Sequence, residues 1–104
     1  MNIKNIDHIV LTVNNIDESI EFYTEVLGMK LVTFGQGRKS LHFGNQKINL
    51  HQKGNEFEPK AKSPTCGAID ICLIVENSLE DCLFELKQKS IAVIEGIVNN
   101  LSSM

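Results

Sequence analysis

No apolar stretch in this 104-residue chain reaches the 18 to 20 residues that a membrane-crossing helix requires, so no membrane association is expected. The opening Met1-Asn2-Ile3-Lys4-Asn5 has no apolar core of the kind that exports a nascent chain, and a cytoplasmic protein is expected. Basic excess is missing too: 10 Lys and Arg against 13 Asp and Glu leave a formal charge of -3, which argues against a nucleic-acid partner. The three cysteines, Cys66, Cys72 and Cys82, are odd in number and nowhere spaced C-x-x-C. That pattern excludes a paired disulfide frame and a zinc knuckle, and predicts reduced thiols, mostly packed.

With 42% hydrophobic residues the chain has enough apolar matter for one core and too little length for two independent ones, so a single domain is expected. The segment from Ile6 to Val13 is rich in β-branched residues and reads as a strand, with Ile9, Leu11 and Val13 on one face and His8, Val10 and Thr12 on the other. Asp17 is placed to cap a helix whose Ile16, Ile20, Tyr23 and Leu27 form an apolar stripe, widened by Phe22 and Val26 and stopped at Gly28. Residues 29–34 form a plausible strand ending at Gly35-Gln36-Gly37.

Ser40 to Phe43 and Lys47 to His51 alternate around Gly44-Asn45-Gln46 as a hairpin. Leu41, Phe43, Ile48 and Leu50 are expected to point at the helix, and Asn49 and His51 away from it. A polar stretch from Gln52 to Pro64 reads as a loop. The opening pattern then returns: residues 68–75 as a strand, Ser78 and Asp81 as a capping box, Leu79, Cys82, Leu83 and Leu86 along one helix face, and 91–94 as a short strand. The order predicts an α+β chain in which one supersecondary unit occurs twice, the second time without a closing hairpin.

Phe22-Tyr23-Thr24-Glu25-Val26-Leu27-Gly28-Met29 resembles the F-Y-x-x-x-L-G-M helix end of the vicinal oxygen chelate superfamily of glyoxalases, bleomycin-resistance proteins and extradiol dioxygenases. Ile6 to Val13 is similar to that family's first strand, and Phe43 to His51 and Asp70 to Val75 look like a glyoxalase-domain subgroup of unassigned substrate. The resemblance implies paired βαβββ modules forming a cupped mixed sheet, with module one over residues 1–55, a linker over 56–66 and an incomplete module two over 67–104. It also implies a further hairpin carrying a metal-binding Glu. Only eight residues follow Gly96 and none is acidic, so activity is expected to be reduced.

Carried over residue by residue, the family's metal positions fall on His8, on Asp70 and on Asn49 or His51, with His8, His51 and Asp70 as the expected ligand set. Asn49, Cys72 and Thr12 are expected to meet substrate, whereas His42 is expected to do no more than surface or turn hydrogen bonding. Imidazole plus carboxylate suits a divalent Zn, Ni, Mn, Fe or Co ion with open positions for a small-molecule substrate bearing vicinal oxygens. Glyoxalase I itself usually has His at the second-module position and Glu at the end of the first module, which argues against its thiohemiacetal chemistry. Two readings follow from the resemblance: a homodimeric metal-dependent lyase or dioxygenase, or a metal-free binding protein of the bleomycin-resistance kind.

Overall fold

The computed structural model describes residues 1–56, 66 and 69–98. Its contacts divide the chain into two compact units, Met1–Asp70 and Ile71–Met104. Among the described residues no helix is long and apolar enough to cross a membrane.

The first unit is built on a four-stranded mixed sheet of β1 (Ile9–Val13), β2 (Lys30–Phe34), β3 (Arg38–Phe43) and β4 (Gln46–Gln52), in the order β1-β4-β3-β2. Strands β2, β3 and β4 run antiparallel through two tight turns, while β1 lies parallel to β4. A parallel pair cannot be joined by a hairpin, so the chain must cross over between them. The crossover begins with α1 (Ile16–Glu21). Asn15 caps this helix, its side-chain oxygen accepting from the Glu18 N–H at 3.1 Å, and Asp17, expected as the cap, lies in the first turn instead. Asn15 has the extended backbone that a cap requires, and Asp17 still complements the positive end of the helix.

After Glu21 the helix widens into a π-helical turn, Phe22–Val26. Leu27 donates to the Phe22 carbonyl, and the Thr24 hydroxyl occupies the Ile20 carbonyl at 2.7 Å, a local competition that loosens helical bonding. Each π turn takes up an extra residue, which explains why Leu27, expected in the apolar stripe, is partly exposed while Ile16, Ile20 and Tyr23 pack on the core. Gly28, at φ 74°, ends the segment in the left-handed conformation predicted for it, and the Met29 N–H closes the turn on the Tyr23 carbonyl.

The core forms where the helix-facing side chains of the sheet meet the crossover: Leu11, Val13, Met29, Leu41, Ile48 and Leu50. Register aligns Leu11 with Leu50, and Leu41 with both Leu31 and Ile48, so alternate residues of all four strands share this face. The expected orientation of Leu41, Ile48 and Leu50 is therefore observed. At the end of β4 Gln52 ties the unit together: its Oε1 accepts from the Ile16 N–H at 2.9 Å and its amide donates to the Asn14 carbonyl.

The second unit contains α2 (Leu79–Gln88), capped as predicted by Ser78, whose Oγ accepts from the Asp81 N–H at 3.1 Å. Leu79, Cys82, Leu83 and Leu86 lie along one groove of this unit, as their spacing predicts. Ser90 adopts φ 58° just past the helix, a position that more often takes glycine. The strands expected over 68–75 and 91–94 do not form among the described residues, and Ala68 lies outside them. Alternation tells which face a strand would bury, but a strand exists only through a ladder partner, and these segments have none among the described residues. The last six residues of the chain and most of the expected linker also lie outside the described residues.

Leu41 is fully buried at the centre of the sheet. Leu41→Ala is expected to lower unfolding stability by about 2–5 kcal/mol in a urea titration, against about 1 kcal/mol for Asn15→Ala at the helix cap.

Candidate active site

On the sheet face opposite the core lies a cavity of about 550 Å³. The alternation that sends Leu41, Ile48 and Leu50 inward sends Ser40, His42, Asn49 and His51 to this side, where Val10, Val32 and Phe34 join them. His8 reaches the same cavity from just before β1, and Arg38 and Lys47 complete the lining. Three imidazoles, one guanidinium and one ammonium thus meet in a cavity lined by no carboxylate among the described residues.

His8 and His51, two of the three expected ligands, are brought together on this lining. His51 is 7% exposed and sits in an interior strand, paired in register with Thr12 of β1. His8 is more open, and its Nδ1 lies 2.7 Å from Asp7 Oδ2. An ionised carboxylate only accepts, so Nδ1 carries the proton and Nε2 of a neutral ring keeps its lone pair for another partner. The same bond, with Lys47 3.6 Å from Asp7 as a second cause, holds the Asp7 carboxyl below the ordinary aspartate value.

Asp70 is exposed, lies outside any strand and does not line the cavity. Among the described residues no group of three or more His, Cys, Asp or Glu converges closely enough to hold a metal ion. The donors on the cavity lining are imidazoles, one of them, His8, held by a carboxylate in the manner of many metal-binding histidines. Asn49 lines the cavity; Thr12 is buried beside it without lining it. Cys72 belongs to the second unit and is exposed, not packed as expected, while Cys66 and Cys82 are half-buried, and all three are free thiols.

Sequence reasoning passed over Ser40 and assigned His42 to the surface, whereas both line the cavity. The signal was available: Ser40 and His42 alternate with the core residues Leu41 and Phe43, and so must share the opposite face. Ser40 is only 1% exposed, yet its Oγ has no hydrogen-bond partner among the described residues, nor has the buried Asn49 Oδ1 opposite it in register.

A mixed βαβββ sheet with a crossover helix on one face and a histidine-bearing cup on the other defines a glyoxalase-type module. The sequence profile of the Glyoxalase/Bleomycin resistance protein/Dioxygenase superfamily matches residues 5–99, and the chain belongs to that superfamily. It is 47% identical over 104 residues to the glyoxalase domain-containing protein RDO1 of Mycosarcoma maydis, an alignment covering 100% of this chain and 58% of that protein. The chain thus spans little more than half the length of that relative. Similarity to the virulence protein STM3117 of Salmonella typhimurium is 53% identity over 98 residues, 94% of this chain and 68% of that one. The crystal structure of that protein superposes with a TM-score of 0.92 at 52% identity, over 96% of this chain and 79% of that chain. The metallothiol transferase FosB of Staphylococcus epidermidis is 30% identical over 94 residues, 90% of this chain and 66% of that protein.

Two outcomes are expected of the metal-free protein. Ser40→Ala removes a buried hydroxyl that lacks a partner among the described residues, so stability in urea should stay level or rise by up to about 1 kcal/mol; a clear loss would mean that Oγ is bonded after all. Because the Asp7 carboxyl is depressed in the folded state, its contribution to stability is present above the ordinary aspartate range and disappears as pH falls through the lowered value. NMR titration of side-chain carboxyls should place Asp7 below the ordinary aspartate value, and Lys47→Gln should move it back up.

Proposed function

We propose that the chain is a metal-dependent protein of its superfamily, acting on a small substrate with vicinal oxygens, in which His8, His51 and Asp70 hold a divalent cation. The observation that carries this reading is the convergence of His8 and His51 on one cavity, with His8 oriented by Asp7 so that Nε2 is left to bind. The name of the FosB relative, a metallothiol transferase, speaks for metal in a protein of this family. Bound there, Zn, Ni, Mn, Fe or Co would supply Lewis acidity toward two adjacent substrate oxygens.

The residues of the chain have separable tasks. Asp7 fixes the His8 tautomer, and the walls of the cup limit water around the reacting atoms. Asn49 lines the cavity and is the residue of the expected substrate set that faces it, whereas Thr12 does not line it. Asp70 stands outside the cavity lining of its own chain, and we propose that the second copy in a homodimer supplies it.

Metal analysis of untagged protein tests the reading. Wild type should retain metal near stoichiometry, His8→Ala and His51→Ala should lose it, and Asp7→Asn should weaken it by roughly 10- to 100-fold. Sedimentation should show a dimer that metal strengthens and Asp70→Asn weakens. Protein that takes up none of these ions yet binds small molecules would favour the non-catalytic, bleomycin-resistance-like reading, supported by the lack of a three-donor cluster among the described residues.

A further inference from the structure

Helix α2 is amphipathic, yet none of its residues is buried. Its Leu79, Cys82, Leu83 and Leu86 recur at three and four residues and line a groove of about 270 Å³ together with Val93 and Ile97. Apart from Glu95, no charged side chain lines that groove. Leu79 is nonetheless 54% exposed, and Cys82, Leu83 and Leu86 are only half-buried. A short helix draws most of its stability from packing of its apolar stripe, so this stripe calls for a cover.

The charges beside the stripe say what the cover is. On one flank Glu85 and Lys89 pair with each other one turn apart, Nζ to Oε2 at 3.0 Å, and that flank is satisfied within the chain. The other flank holds Glu80 and Lys87, which lie within about 20° of each other around the helix axis at 100° per residue. Glu80 is in the first turn of the helix and Lys87 in the last. Two turns of rise, about 10 Å, keep them from meeting inside one helix. Neither takes part in an ion pair among the described residues.

A second α2 laid antiparallel supplies what each of them lacks. Twofold symmetry brings like flanks together in such a pair, so Glu80 of each copy faces Lys87 of the other and both ion pairs form at once. The same register sets Leu79 against Leu86 and brings the two Cys82 residues to one level beside the axis. A parallel pair would set the acidic first turns, Glu80 and Asp81, against each other and align the helix dipoles like end to like end.

We propose that this face of α2 is an interface between two copies of the chain, formed by antiparallel pairing of the helices about a twofold axis near Cys82 and Leu83. It goes beyond the reading of the cup, since no metal, ligand or residue of the first unit takes part in it.

The test is sedimentation of the full chain, freed of metal, over a range of concentrations. Wild type should show a monomer–dimer equilibrium. Glu80→Lys alone and Lys87→Glu alone each set like charges against one another and should weaken the dimer by roughly tenfold. An equimolar mixture of the two variants should regain wild-type affinity, because opposite charges then meet again. Gln88→Ala, on the reverse of the helix, should change nothing. A short bis-maleimide added to Cys66→Ser, Cys72→Ser protein should join two chains through Cys82, and Leu83→Asp should abolish both dimer and crosslink. The mixing result decides the matter even if Leu83→Asp does not fold. A monomer at every concentration, a dimer indifferent to both charge variants, or a mixture no tighter than its components would overturn the proposal. Asp70→Asn separates it from the metal reading: without metal this variant should dimerise as wild type does. A metal-free dimer that Asp70→Asn breaks and Glu80→Lys leaves intact would overturn this proposal alone, whereas rescue in the mixture by protein that binds no metal would count against the metal reading alone.

Discussion

The parallel pairing of β1 with β4 is the constraint from which the rest of the first unit follows. Two parallel neighbours demand a crossover, and the crossover delivers α1 and its π-helical extension onto one face of the sheet. Burial of Leu11, Leu41, Ile48 and Leu50 beneath it leaves the odd-stepped neighbours no choice of side. The cup is thus the reverse of the core. A one-residue slip of β4 against β1 would turn His51 and Asn49 into the core and bring Leu50 out, so the hydrophobic register and the functional register are the same thing.

That coupling lets polar atoms be held where the fold alone would not keep them. Ser40 sits in the middle of β3, flanked across the sheet by Val32 and Asn49, and its backbone pairing is secured on both sides whatever its side chain does. The sheet therefore holds Ser40 in place although its Oγ has no hydrogen-bond partner among the described residues. His8 is the opposite case: it lies just outside the ladder and owes its orientation to one neighbouring carboxylate.

Much of the first unit was legible from the residues. The hairpin alternation around Gly44, the cap at Gly28 and the F-Y-x-x-x-L-G-M segment each encode a local geometry that tertiary context does not override. Asn15 displaced Asp17 as the cap because both are good caps two residues apart, and only the backbone conformation decides between them. His42 was misjudged although its alternation with Leu41 and Phe43 puts it on the same face as Ser40. The second unit was legible for α2, whose capping and spacing are local, and not for its strands, whose existence depends on partners that periodicity does not name. Asp70 falls in that second category, so its place in a metal site could be inherited only from the resemblance.

Gln52 closes this picture at the other end of the unit. As the last residue of β4 it grips the backbone at the start of α1, so the final strand of the stretch clasps the junction after its first. A segment latched end to start in this way carries its own closure within a few dozen residues. Copying or transplanting such a block would move the fastening along with the sheet, a property suited to an architecture assembled from repeated pieces.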